Sequence, residues 1–242
     1  MSFNNVVKNG FCVGCGACKS DLSVSIDIEI KDDGFYKASK NAQGNSNESE
    51  LLNKVCPFSS EALNEDDLGK KLFDGKEYDE RVGYYNNVFI GSIKSVEEKV
   101  NSSSGGLTTW FASKLLINNE VDAVVHVGQN ENMFEYKISR NISELNDRRN
   151  KKSRYYPVSF SELTEYIIST KDRLLFIGIP CFVKAIRLME YELKLTNITF
   201  VASLLCGHMK SKFFAENMAW QLGISPENLT DIDFRVKKEG FT

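Results

Sequence analysis

An α+β N-terminal domain followed by an α/β domain with a mostly parallel sheet is the architecture this sequence predicts, on three observations. Cysteines gather near the start of the chain among short alternating segments. A charge-rich stretch, "NEDDLGKKLFDGKEYDERVGYYNNV", follows them. From Val88 onward, apolar runs of strand length alternate with helical periodicity, the pattern of parallel strands joined by crossover helices. The expected divisions are residues 1–65, a linker over 66–88, and 89–242.

The elements follow in chain order. "SVSIDIEI" sets Val24, Ile26, Ile28 and Ile30 on one face of a strand, and the chain turns at Asp33-Gly34. "SKNAQGNSNESE" is polar and glycine-containing and reads as a loop, and "ESELLNKV" as a helix leading into Cys56-Pro57. In the larger part the expected order is strand "VFIGSI", helix "LTTWFASKLLIN", strand "VDAVVHV", helix "FSELTEYIIST", strand "RLLFIGI", helix "FVKAIRLMEYEL", strand "ITFVASLL" and helix "KFFAENMAWQLG". The closing "DIDFRVKKEGFT" reads as the start of another strand, so the sequence is expected to end early.

Composition narrows the function. Of 242 residues, 42% are apolar and 26% charged, which is ordinary for a globular chain with an ample core. Thirty basic against 33 acidic side chains give a net charge of -3, which argues against a general nucleic-acid binder. No apolar stretch reaches the roughly 18 residues that span a bilayer, and "MSFNNVVKNG" resembles neither a secretory signal nor a transit peptide. The expected location is the cytoplasm, where the six cysteines read first as metal ligands or redox groups.

"FCVGCGACKSDL" carries Cys12, Cys15 and Cys18 at three-residue intervals, the rhythm of the bacterial ferredoxin run C-x2-C-x2-C-x3-C-P. The fourth position holds Leu22 instead of cysteine, and the other N-terminal cysteine is Cys56, followed by Pro57. In ferredoxins with two clusters, the last cysteine of each run ligates the other cluster. Counting back from Cys56 puts the remaining ligands of a second run at Leu52, Ser49 and Ser46. The cysteines kept, Cys12, Cys15, Cys18 and Cys56, thus form the full ligand set of one 4Fe-4S cluster, and the positions lost form the full set of the other. Hence the N-terminal domain is expected to be ferredoxin-like. Gly14 and Gly16 let the backbone wrap closely and turn N–H groups toward the sulfurs. A structural zinc site with four cysteine ligands is the competing reading.

Cys181, in "FIGIPCFVKAIRLM", and Cys206, in "FVASLLCGHMKSKFF", each follow an apolar strand and precede a helix. Both are expected at the carboxyl edge of the parallel sheet, where open α/β folds bind ligands; two buried structural cysteines are the alternative. In "NSSSGGLTTWF", Ser103, Ser104, Gly105 and Gly106 lead into a helix whose exposed N–H groups would suit a cofactor phosphate or a carboxylate, although serine and glycine are also ordinary caps. "NDRRNKKSRYY" concentrates Arg148, Arg149, Lys151, Lys152 and Arg154, either as a solvated loop or as a docking surface for an acidic cofactor tail or an acidic electron carrier. His208 follows Cys206 closely and is the candidate catalytic proton donor, whereas His126, inside "DAVVHV", reads as a satisfied core residue.

Taken together, "CVGCGAC", "DDGFYKA", "VCPF", "SSSGGL", "DAVV", "SRYYPV", "FIGIPCFVKAI", "LLCGHMKS" and "DFRVKKEGF" resemble the beta-subunit family of coenzyme F-420 hydrogenases and dehydrogenases, which are iron-sulfur flavoproteins. The resemblance implies an oxidoreductase passing electrons between a 4Fe-4S cluster and a flavin or deazaflavin-type hydride carrier or an organic small-molecule substrate. It implies Cys181 and Cys206 as candidates for a second cluster, the "SSSGG" turn for flavin (FAD) or substrate binding with Lys152, Arg154 and Pro180 as further cofactor-binding candidates, and a ferredoxin-like carrier or redox subunit as partner. A non-catalytic electron relay that retains only the N-terminal cluster is the alternative. Family members usually continue past the point where this sequence stops, so the resemblance also implies a truncated chain.

Overall fold

A computed structural model describes residues 1–40, 49–130, 133–147 and 152–237. Its centre is a sheet of four strands in the order β6-β5-β7-β8: β5 (Ala123–Asn130), β6 (Met133–Ser139), β7 (Leu174–Gly178) and β8 (Ile198–Ser203). β5 pairs parallel with β7, and β7 parallel with β8, as alternating strands and helices require. Against β6, however, β5 is antiparallel, so the sheet is mixed. The alternation Phe134, Tyr136, Ile138 is the sequence signal of β6, and a hairpin partner needs no crossover helix to betray it.

β7 is buried along its whole length, and its side chains divide by the period of two. Leu174 and Phe176 join a core with α7 (Thr164–Ser169) and α8 (Pro180–Leu193), through Ile167, Phe182, Ala185, Ile186 and Met189. Leu175 and Ile177 enter a second core with Ala112 and Leu115 of α5 (Leu107–Ile117) and Leu145 of α6 (Ile142–Asn146). Pro180 begins α8, where its missing N–H costs nothing.

The N-terminal part lies against the first of these cores. It holds α1 (Phe3–Lys8), a 3-10 turn (Ala17–Ser20), the antiparallel pair β1 (Ile26–Ile30) and β2 (Tyr36–Lys40), and α2 (Glu50–Val55). Ile26 is buried and Asp27 exposed, following the alternation in the sequence. α2 and the 3-10 turn pack on α8, which brings Cys15, Ala17 and Val55 into the same core as Phe176 and Phe182. Phe3, Val6, Leu52 and Cys56 form a smaller core of their own. The charged connector is more structured than a linker, with α3 (Glu65–Leu72) and a hairpin of β3 (Glu77–Asp79) and β4 (Gly83–Tyr85).

Among the described residues, two expected strands do not form. "VFIGSI" leaves Val88, Phe89 and Ile90 exposed, and only Ile93 turns inward, donating its N–H to Gly105 O at 2.9 Å. An apolar run becomes a strand only where a sheet edge accepts it, and the edges here are β6 and β8. Of "DIDFRVKKEGFT", residues 231–237 make no strand pairing and lie instead against the 152–155 segment. α4 (Val96–Val100) and α9 (Lys212–Gln221) complete the α-helices among the described residues.

Candidate metal centre

Cys12, Cys15, Cys18 and Cys56 line one small open-mouthed pocket, with a cavity volume of about 20 Å³ and Phe3, Val6, Gly14, Gly16, Ile28, Pro57 and Phe58 among its other walls. Cys15, Cys18 and Cys56 are buried and Cys12 is partly so. The crossed assignment from the sequence thus gathers its predicted set at one place. Of the positions assigned to the lost cluster, Leu22 is 75% exposed, Leu52 is buried in the small core, and Ser49 caps α2 by accepting the Leu51 N–H. Ser46 lies outside the described residues.

Backbone N–H groups donate directly to the first sulfur of the set. Cys12 Sγ accepts from Gly14 N at 3.4 Å and from Ala38 N at 3.3 Å. Nearby backbone N–H groups, of Ala17 at Cys15, of Cys18 itself and Lys19 at Cys18, and of Phe58 and Ser59 at Cys56, act to lower the other three thiols. These dipoles favour thiolates, yet burial wins. Burial and the neighbouring thiols push Cys15 and Cys18 well up, and burial above all raises Cys56. Burial thus disfavours the thiolates of Cys15, Cys18 and Cys56, which a bound cation would stabilise.

Among the described residues, no group of three or more His, Cys, Asp or Glu is placed to hold a metal ion. A single zinc needs its sulfurs drawn to about 2.3 Å from one point. Four cysteine ligands suit either such a zinc or an iron-sulfur cluster.

The loop carrying Cys15 is fastened from far along the chain. Cys15 O accepts from Phe160 N at 3.0 Å and from Ser159 Oγ at 3.2 Å. Gly16 O accepts from Thr164 Oγ1 at 3.2 Å and, within its own turn, from Lys19 N at 3.0 Å. Gly16 has φ +108, and a Cβ there would lie 2.5 Å from Ser161 N, so the close approach requires glycine. Sequence reasoning missed Ser159, Phe160 and Thr164, because nothing in "VSFSELT" marks it as the partner of a cysteine loop. Behind the loop, Tyr136 stacks on Phe176 (5.4 Å) and Phe182 (6.0 Å) and meets Phe160 edge-on. Burial raises the Tyr136 phenol, and the nearby thiols of Cys181 and Cys15 add to this.

Cys181 sits in the first turn of α8 and Cys206 just beyond β8, at the carboxyl ends of neighbouring parallel strands. Burial, with Cys206 as the next contributor, pushes the Cys181 thiol up to about 11. Cys206 and His208 are exposed on the loop after β8. His126 is the core residue expected, with Nε2 2.8 Å from Ser139 Oγ and Nδ1 3.2 Å from Val127 O.

The serine-glycine turn precedes α5 as expected, with Gly106 at φ +77 as its cap. It is joined to the basic segment, since Ser103 Oγ accepts the Ser153 N–H at 2.5 Å. Lys152 and Arg154 are inward-facing, their side chains 6% and 5% exposed. Lys152 Nζ lies 3.1 Å from Asp233, and Arg154 donates to Ile232 O at 3.0 Å with Asp231 at 3.8 Å. Lys237 reaches Ser104 O at 2.6 Å. Arg148, Arg149 and Lys151 lie outside the described residues.

A cysteine-lined pocket packed against the sheet, with two further cysteines at the sheet's carboxyl edge, defines a redox class of α/β protein. Two family models match, those for the N-terminal and the C-terminal portions of the coenzyme F420 hydrogenase/dehydrogenase beta subunit, over residues 91–165 and 171–242 respectively. The chain belongs to this family, whose members are oxidoreductase components with an electron-transfer role. The matches take in the serine-glycine turn, Cys181, Cys206 and His208, and begin after the four-cysteine pocket. Among solved structures, the chain is similar to one from the F420-reducing [NiFe] hydrogenase complex of Methanosarcina barkeri. That match has 15% identity and a TM-score of 0.44, covering 55% of this chain and 51% of the other. The chain therefore spans about half the length of that relative. No curated protein matches. Among the described residues, no helix is long and apolar enough to cross a membrane.

Proposed function

We propose that this chain is an iron-sulfur oxidoreductase component, with one 4Fe-4S cluster held by Cys12, Cys15, Cys18 and Cys56. The observation that carries this reading is the pocket itself: four cysteines on its walls, with Cys12 Sγ accepting from the backbone N–H groups of Gly14 and Ala38. Bound there, the cluster would supply one-electron transfer. The N-terminal part is then a ferredoxin-like module in the cytoplasm, exchanging electrons with a ferredoxin-like carrier or a partner redox subunit. Across the first core, the carboxyl edge with Cys181, Cys206 and His208 is where a small-molecule substrate is reduced, and His208 is its proton donor.

In the fuller form of this reading, FAD occupies the region of Ser103, Ser104, Gly105, Gly106, Lys152, Arg154 and Pro180 and converts single electrons into hydride equivalents. One observation favours the plainer form, an electron relay without flavin: Lys152 and Arg154 already face the carboxylates of Asp233 and Asp231. An anaerobic absorption spectrum after iron and sulfide reconstitution, with flavin and zinc quantified on the same sample, tests both. Iron, sulfide and flavin together support the enzyme; iron and sulfide without flavin support the relay. A colourless zinc protein contradicts both.

A further inference from the structure

Thr164 is fully buried at the first position of α7, and its hydroxyl reaches out of its own helix to the Gly16 carbonyl at 3.2 Å, while also lying 3.3 Å from Phe160 O. A trans peptide is planar, with its C=O and N–H pointing in opposite directions. Holding the Gly16 carbonyl toward α7 therefore turns the Ala17 N–H the other way, into the pocket that Ala17 and Cys15 line together. The preceding peptide is held in the same sense by Ser159 and Phe160 on the Cys15 carbonyl. Two successive peptide dipoles of the cysteine loop are thus oriented by a segment of the sheet-bearing part of the chain.

We propose that Thr164, assisted by Ser159, is a positioning residue that sets the reduction potential of the N-terminal cluster by aiming the Ala17 N–H at the Cys15 sulfur. The proposal rests on the cluster reading given above. Hydrogen bonds to cluster sulfurs are among the features that set potential. An N–H donor stabilises the more negative, reduced state and raises the potential. Anchoring that donor from α7 also means that a shift of the sheet-bearing part against the cysteine loop would be felt as a change in potential. Nothing in the cysteine motif encodes this; it arises where residues 159–164 meet residues 15–16.

The test compares wild type, Thr164→Val and Thr164→Ser after anaerobic reconstitution. Iron and sulfide are measured first, and then the midpoint potential by an EPR-monitored reductive titration. Valine keeps the shape and removes the hydroxyl, so full iron and sulfide with a shift to more negative potential is expected. Serine should restore the wild-type potential. Lys19 N–H still holds the Gly16 carbonyl in the valine variant, which preserves the turn while loosening its aim. If Thr164→Val fails to fold, Thr164→Ala decides, with a shift in the same direction because the hydroxyl is again removed. An unshifted potential in a variant with full iron overturns the role of Thr164 and leaves the cluster standing. A wild-type chain that takes up no iron and sulfide overturns both.

Discussion

The main-chain N–H of Phe160 donates to the carbonyl of Cys15 at 3.0 Å, joining the cysteine loop to the segment that enters α7. Phe160 itself is fully buried against Tyr136, Phe176 and Phe182. The cysteine pocket is therefore built onto the hydrophobic core of the sheet, and disturbing their contact should be felt at both.

Gly16→Ala tests that contact directly. The added Cβ meets Ser161 backbone at 2.5 Å with φ at +108, so neither the residue nor its neighbour can relax cheaply. The expected cost is on the order of 3 kcal/mol in chemical denaturation, with iron uptake reduced in the fraction that stays folded. Wild-type stability would mean that the loop does not sit against residues 159–161.

His126 should make the fold acid-sensitive. Burial holds its protonation down to about 4, against 6.5 for a free imidazole. Below pH 6.5 the unfolded chain binds a proton that the fold refuses, so this contribution is complete above about 6.5 and declines as pH falls toward 4. Over that window the loss is on the order of 3 kcal/mol. His126→Gln should flatten the dependence of denaturation midpoint on pH between those limits, and an unchanged slope would contradict the buried neutral imidazole.

Leu22 stands where an intact ferredoxin run would place its fourth cysteine, and it is exposed. Leu22→Ala should leave iron and sulfide content unchanged and stability within about 0.5 kcal/mol of wild type. Loss of iron despite normal folding would show that this position still serves the pocket.

The residues that could be read from sequence are those whose pattern is local. Cys12, Cys15 and Cys18 announce themselves by spacing, Ile26 by alternation, and "RLLFIGI" by an unbroken apolar run that becomes the buried β7. Cys56 is reachable because a known crossing rule links it to a distant motif. What stays hidden depends on a partner elsewhere: the strand expected at "VFIGSI" joins neither edge of the sheet, and Thr164 meets Gly16 from far along the chain. Lys152 and Arg154 read as exposed cations and are instead turned inward onto Asp233 and Asp231, because charge density in a loop does not say what will fold over it.

Cys181 and Cys206 share the sheet edge but not the N-terminal pocket. The double variant Cys181→Ser/Cys206→Ser should keep the four-iron content of the N-terminal site. If wild type holds more than about four irons, that excess should vanish in the variant. A loss of all iron would mean that the two sets of cysteines serve one site.

Iron and acid-labile sulfide per chain, measured anaerobically in wild type and in Cys56→Ser, tests the central claim most directly. About four of each in wild type, collapsing in the Cys56 variant, is the predicted result. Full iron and sulfide retained in Cys56→Ser, or a single zinc in wild type, would contradict the crossed four-cysteine cluster.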